Sequence, residues 1–201
     1  MKTRVLADAN CQRLKVIAPV DLVSFTIRKA TLNDQTEIEW LIAASVRGLS
    51  REDYDERQIE LSIKSVFGVD AELILDETYF VAEADGKIVG CGGWSKRKTL
   101  YGASCYKLSR NSEELDPERD AAKIRAFFIH PDWARKGIGR AILQACETEA
   151  KLFGFTSAEM MSTLPGVKLY VVCGYAGDER VAVPVGEGVE IECVKMSKKL
   201  S

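Results

Sequence analysis

Residues 126–140 read Ala126-Phe127-Phe128-Ile129-His130-Pro131-Asp132-Trp133-Ala134-Arg135-Lys136-Gly137-Ile138-Gly139-Arg140, and the rest of the chain is organised around them. Apolar residues over 124–129 predict a short buried strand, which Pro131 ends because proline cannot donate to a strand ladder. A basic loop with two glycines follows, and a helical apolar pattern runs from Ile138 to about Phe153. This order predicts an anion-binding site, because a helix N-terminus offers unpaired N–H groups and glycines let a ligand approach the backbone.

Two common phosphate-binding motifs do not fit this loop. A P-loop ends in Gly-Lys-Ser/Thr, which the loop lacks. The dinucleotide fingerprint needs a tighter turn and a third small residue where this chain has Ile142. The loop instead resembles motif A of the GNAT superfamily of N-acetyltransferases, Gln/Arg-x-x-Gly-x-Gly/Ala. Gly137 and Gly139 match its glycines, whereas Ala134 stands at its Gln/Arg position.

The resemblance implies a binding site for acetyl-CoA. In the family, the loop amides hold the pyrophosphate, and the preceding strand splays from its neighbour so that its backbone can bond the pantetheine arm. A backbone N–H near Ile129 would meet the oxyanion of the reaction. By position, the implied cofactor-binding residues are Phe127, Phe128, Ile129, Ala134, Arg135, Lys136, Gly137, Ile138, Gly139 and Arg140. From the residues alone, a strand-turn-helix with an incidental basic loop remains an alternative.

The wider apolar pattern predicts an α/β (α+β) fold. Predicted strands cover 22–28, 78–84, 87–94, 124–129, 156–162, 181–185 and 189–196, and predicted helices cover 31–48, 50–68, 138–153 and 166–173. Over about 22–196 this order resembles the GNAT fold, a mixed, mostly antiparallel central sheet flanked by helices, with splayed central strands. Residues 1–21 show no period and are predicted to be an N-terminal extension, either a mobile arm or a subunit contact, before an N-acetyltransferase domain over 22–201. Residues 96–120 are predicted to be an irregular loop covering the acceptor side.

Composition limits the classes of partner. The chain of 201 residues has a net charge of −2, which argues against nucleic acid or an anionic membrane as partner. No run approaches the length of a membrane span and no signal peptide is recognisable, so we expect a cytoplasmic location. Six cysteines without a Cys-x-x-Cys pair, and the single histidine His130, predict buried reduced thiols and no metal site.

A second segment carries the chemistry that the resemblance implies. The residues Leu169-Tyr170-Val171-Val172-Cys173-Gly174-Tyr175 resemble the family's Phe-Tyr-x-x-x-Gly-Phe/Tyr segment. At its matched position, Tyr170 would be the general acid that protonates the departing CoA thiolate. An ordinary half-buried helix tyrosine is the alternative interpretation.

The general base is not identified by the resemblance. Some relatives keep a glutamate on the central strand, but Lys123 stands at that position here, and a cation cannot accept the proton. Glu83, near the end of a hairpin strand, is the candidate carboxylate; a water relay, or no base at all, is the alternative. Acidic residues that could meet a cationic acceptor, or that form a solvated face, are Glu52, Asp53, Asp55, Glu56, Glu113 and Glu114.

Together these features predict an acetyl-CoA-dependent N-acyltransferase. An amine of a small molecule or peptide would attack acetyl-CoA directly in a ternary complex, with no metal required. The alternative is a non-catalytic acyl-CoA-binding sensor or regulatory module, since motif A binds only the cofactor. A weaker alternative is a nucleotide- or phosphate-binding α/β protein. The resemblance is also compatible with a homodimer.

Overall fold

The structure is a computed structural model that describes residues 24–103 and 111–200, together with the backbone of 14–16. The strands are β1 (Leu14–Val16), β2 (Phe25–Lys29), β3 (Tyr79–Ala84), β4 (Lys87–Ser95), β5 (Ala122–Ile129), β6 (Ser157–Thr163), β7 (Ala176–Gly186) and β8 (Val189–Lys199). The helices are α1 (Gln35–Leu49), α2 (Glu56–Ser65), α3 (Ala71–Leu75), α4 (Ile138–Phe153) and α5 (Val167–Val172).

The described strands form one eight-stranded sheet in the order β1-β2-β3-β4-β5-β6-β8-β7. Every adjacent pair is antiparallel except β5 and β6, which run parallel. The prediction of a mixed, mostly antiparallel sheet flanked by helices is therefore confirmed. The sequence pattern predicts neither β1 nor α3, and it predicts that β7 begins at residue 181, whereas β7 begins at Ala176. Of the predicted N-terminal extension, only the strand Leu14–Val16 lies within the described residues, and it pairs with β2.

The central strands splay apart as predicted. β5 pairs with β6 only at Ala122 and Lys123, although β5 continues to Ile129. On its other side, β5 carries a β-bulge near Ala126, whose φ is +55°. The Tyr79 hydroxyl donates a hydrogen bond to the Ala126 carbonyl at 3.1 Å, which holds the bulge in place. A bulge bends and twists its strand, so the last part of β5 turns away from β6 and leaves a gap in the sheet.

Helices cover both faces of the sheet and bury two separate cores. One core lies between the sheet and α4, and the other lies between the sheet and α1, α2 and α3. The buried face of α4 consists of Ile138, Gly139, Ile142, Leu143, Cys146 and Ala150. The helical period of the sequence places Leu152 on this face as well, but Leu152 is 83% exposed. The same period places Glu149 on this otherwise apolar face, and in the structure Glu149 accepts a hydrogen bond from Trp94 Nε1 at 3.1 Å and pairs with Lys29.

The predicted irregular loop over 96–120 has two paired arms. Lys98 N–H donates to the Glu113 carbonyl, and Thr99 N–H donates to the Asn111 carbonyl, both at 2.9 Å. Arg97 anchors the first arm through two hydrogen bonds of 2.7 Å to the Asp76 carboxylate. The tip at 104–110 lies outside the described residues. The arms therefore bring residues 100–103 beside the gap in the sheet in a fixed position.

Candidate active site

A cavity of about 980 Å³ opens at the gap between β5 and β6. Its lining includes residues that pack in both cores, such as Phe127 and Tyr170 on the α4 side and Phe128 and Ile191 on the other. The cavity therefore passes through the sheet from one face to the other. We call its two parts the α4 end, lined by the start of α4 and by α5, and the α2 end, lined by Phe67, Tyr101, Phe128, Met161, Ile191 and Cys193.

The α4 end is built on the N-terminus of α4. Gly137 caps the helix with φ +86°, a conformation that suits glycine, and its carbonyl accepts the Ala141 N–H at 3.0 Å. A Cβ at Gly137 would meet nothing within 4 Å, whereas one at Gly139 would lie 2.9 Å from Leu169 Cδ2. Gly137 is therefore needed for its backbone conformation and Gly139 for space. The N–H groups of the first turn have no acceptor inside the helix and are available to an anion.

Most of the predicted cofactor-binding residues line the cavity together. They are Phe127, Phe128, Ile129, Ala134, Arg135, Gly137, Gly139 and Arg140. Two predicted members have side chains elsewhere. The Lys136 ammonium lies 5.0 Å from the centre of the Trp133 ring, and Ile138 is 1% exposed in the core. For these two, only the backbone N–H groups remain candidates for ligand contact.

The end of β5 presents two aromatic rings to opposite sides. The Phe127 ring packs edge-on against Tyr170 with centroids 6.1 Å apart, and the Phe128 ring packs edge-on against Phe67 at 5.6 Å. The Ile129 N–H, which lies in the region where an oxyanion contact was predicted, donates to Ser45 Oγ at 3.1 Å. This N–H already has an acceptor in the structure, and the oxyanion contact near Ile129 stays a prediction.

The helical period of the sequence places Ser45 on the core face of α1, where the structure also buries it. It is 5% exposed and lines the cavity beside Ile129. Other helix hydroxyls, on Ser62, Ser65 and Thr148, donate back to the carbonyl one turn earlier. Within the described residues Ser45 forms no such bond, so its hydroxyl proton is available to a molecule in the cavity. A serine among the apolar residues of an amphipathic helix was the only signal in the sequence.

Tyr170 lies on α5, is 7% exposed and is one of the residues that line the cavity. Its ring is held between Phe127 and Tyr175, at centroid distances of 6.1 and 5.9 Å. Burial raises the pKa of Tyr170 above its ordinary value, because the phenolate would be poorly solvated there. The phenol therefore keeps its proton at neutral pH, as a general acid must.

Glu83 is not brought to the cavity. It accepts a hydrogen bond from Arg28 Nε at 2.9 Å on the β2 side of β3. The same guanidinium donates two hydrogen bonds of 2.8 Å to Asp34 and lowers the pKa of that carboxyl to about 2. Glu83 belongs to this ion-pair cluster, so its position gives no support to the prediction that it is the base. Lys123, at the position where some relatives carry a base, pairs with Glu159.

The α2 end contains a buried ion pair. Arg125 pairs with Asp70, and their side chains are 1% and 0% exposed. Arg125 also donates to the Gly102 carbonyl at 2.8 Å and forms part of the cavity wall. Of the acidic residues proposed to meet the acceptor, only Glu52 is among the described residues that line the cavity. Within residues 24–103 and 111–200, no His, Cys, Asp and Glu side chains group so that they could hold a metal ion.

Comparison with known proteins identifies the family. Residues 37–175 match the Acetyltransferase (GNAT) family. The chain therefore belongs to the GNAT acetyltransferase family, as the resemblance of the loop and of the Tyr170 segment implied. No curated protein sequence matches the chain significantly.

Solved structures share the fold at low sequence identity. A GCN5-related N-acetyltransferase from Rhodopseudomonas palustris is 19% identical, with a TM-score of 0.64 over 86% of this chain and 94% of that one. The PaiA N-acetyltransferase of Thermoplasma acidophilum, solved with coenzyme A, is 17% identical, with a TM-score of 0.60 over 88% and 99%. YncA of Salmonella typhimurium, a putative acetyltransferase solved with acetyl-CoA, is 17% identical, with a TM-score of 0.57 over 88% and 94%.

None of the helices in the described residues combines the length and apolarity needed to cross a membrane.

Proposed function

We propose that the protein transfers the acetyl group of acetyl-CoA to an amine nitrogen. The observation that carries this proposal is that one cavity is lined both by the N-terminus of α4, whose free N–H groups suit an anion, and by the buried Tyr170, whose pKa is raised. An anion site alone would suit any phosphate ligand. A general acid opening on the same cavity, in a member of an acetyltransferase family, favours acyl transfer.

In this proposal the α4 end binds acetyl-CoA. The first-turn N–H groups of α4 hold the pyrophosphate, and Arg135 and Arg140, both exposed beside the cavity, add positive charge. The splayed part of β5 has backbone groups that β6 does not pair, and these can bond the pantetheine arm. The thioester then lies near Phe127 and Tyr170, where the cavity crosses the sheet.

The reaction is direct attack by the acceptor. The amine nitrogen, in its neutral form, attacks the thioester carbonyl carbon and forms a tetrahedral intermediate. Ser45, whose hydroxyl proton is available to the cavity, donates a hydrogen bond to the oxyanion in place of the Ile129 N–H. When the C–S bond breaks, the Tyr170 hydroxyl gives its proton to the thiolate. The proton lost by the attacking nitrogen restores the phenol, so the products are the amide and the free CoA thiol.

A pair of substitutions at Gly137 tests the acetyl-CoA site. Asparagine and aspartate both tolerate positive φ and both cap helices well, and a side chain at this position would enter open space. The two variants therefore differ mainly in one negative charge beside the pyrophosphate. We expect Gly137→Asn to bind acetyl-CoA nearly as well as the wild type in a calorimetric titration. Gly137→Asp should bind at least about tenfold more weakly, because like charges about 4 Å apart repel by ~1–4 kcal/mol near a protein surface.

Salt and ATP provide the controls for this experiment. The difference between the two variants should shrink as salt is added, because screening weakens a charge effect. ATP should bind the wild type more weakly than acetyl-CoA does. Equal acetyl-CoA affinities for the two variants would place the phosphates away from α4, and a preference for ATP would favour a nucleotide-binding function instead.

A further inference from the structure

The α2 end of the cavity has a composition that selects among amines. We infer that the acceptor is an amine that carries a single positive charge on an apolar alkyl or aromatic body. Amines with several positive charges are then poor acceptors. This inference rests on the proposed function. The inference depends on the lining of the α2 end and on the charges there.

The lining of the α2 end is apolar and aromatic. Phe67 and Phe128 meet edge-on, and Tyr101 and Met161 pack against the same core. Ile191 and Cys193 on β8 complete this surface and are 1% and 4% exposed. Burial raises the pKa of the Cys193 thiol to about 12, so at neutral pH it stays an uncharged, weakly polar group. Such a surface gains free energy by removing apolar groups of a ligand from water.

The charged side chains at the α2 end can neutralise no more than one positive charge of a ligand. Arg125 lines the cavity, but its side chain is only 1% exposed and its charge is paired with Asp70. Arg51 and Glu52 are exposed residues of the lining, and Glu52 is the single carboxylate among the described residues that line the cavity. A second ammonium inside the cavity would have to give up water without an opposite charge, which is costly.

The inference predicts a graded preference. In the apolar lining each additional methylene of a linear alkylamine should raise kcat/KM by about fourfold, the effect of burying one CH₂ group. The gain should continue until the chain fills the α2 end. A polycation such as spermidine has a similar length but carries several charges. It should therefore be acetylated at least about tenfold less efficiently than hexylamine.

The experiment measures kcat/KM from thiol release with propylamine, butylamine, pentylamine, hexylamine, phenethylamine and spermidine. The expected result is a rise along the alkyl series, efficient use of phenethylamine, and poor use of spermidine. The Phe67→Ala variant removes one wall of the α2 end, so it should reduce kcat/KM for hexylamine more than for propylamine. Unchanged acetyl-CoA affinity of this variant would show that it is folded.

The outcomes separate this inference from the proposed function. A flat alkyl series, or spermidine as the best acceptor, would overturn the inferred acceptor class while supporting acetyl transfer. Failure of every amine to release thiol from a protein that binds acetyl-CoA would overturn the proposed function, and this inference with it.

Discussion

The Tyr170→Phe variant should lose about 10²- to 10⁴-fold in kcat while binding acetyl-CoA as tightly as the wild type. Removing a positioned general acid typically has an effect of this size. Phenylalanine keeps the ring that packs between Phe127 and Tyr175, so the fold and the cavity wall should be preserved. Turnover measured by thiol release, and affinity measured by calorimetry, separate a catalytic loss from a binding loss.

Tyr175→Phe is the matched control. Tyr175 is 3% exposed and touches Tyr170, yet it is not among the residues that line the cavity. The same change of atoms in the same cluster should leave kcat within a few-fold of the wild type. Equal losses in the two variants would indicate a packing role for both tyrosines and would remove Tyr170 from the chemistry.

The pH dependence of the wild type gives a second check on Tyr170. Because burial raises its pKa, the acid form persists at alkaline pH, where an ordinary tyrosine with a pKa of about 10 would begin to lose its proton. The rate should therefore rise with pH as the acceptor amine becomes neutral, and it should not fall at any pH up to about 10. A decline beginning near pH 8 would contradict the assignment of Tyr170.

The Asp70→Asn variant should lower the free energy of unfolding by about 3–5 kcal/mol. It would leave the Arg125 guanidinium buried without its opposite charge, and breaking a buried pair from one side typically has this effect. Asp70 Oδ1 also accepts the Glu72 N–H at 3.2 Å at the start of α3, a contact that asparagine can keep. Urea unfolding of the wild type and the variant measures the change.

An exposed ion pair provides the control for Asp70→Asn. Arg57 and Glu187 lie 3.3 Å apart, with side chains that are 62% and 67% exposed. Arg57→Met should change stability by no more than ~1 kcal/mol, because exposed pairs contribute little. If Asp70→Asn lowered the free energy of unfolding by as little as Arg57→Met does, the buried Asp70–Arg125 pair would not be what holds the wall of the α2 end in place.

The parts of the fold that could be predicted have local signals. The predicted helix over 138–153 coincides with α4, because Gly137 and Gly154 bound it and its apolar residues recur with a helical period. The missed elements are short: β1 has three residues and α3 has five, too few to show a period. They form because neighbouring strands and the buried Asp70 hold them.

The parts of the site that could not be predicted depend on distant partners. Glu83 looked like a free carboxylate at a strand end, but its partner Arg28 is 55 residues away in the sequence. Ser45 looked like a core position until α1 was seen to pack on β5, 84 residues later. The loop glycines and Tyr170, which line the cavity, could be singled out because the motifs that they resemble are local, whereas tertiary hydrogen bonds leave no such pattern.

The most direct test of acetyl transfer is CoA thiol release from acetyl-CoA by the purified protein, with and without hexylamine, accompanied by mass analysis of the amine. We predict that release depends on the amine and that N-acetylhexylamine forms in equal amount. Tight acetyl-CoA binding with no thiol release for any amine tested would contradict this account and would instead indicate a non-catalytic acyl-CoA-binding protein.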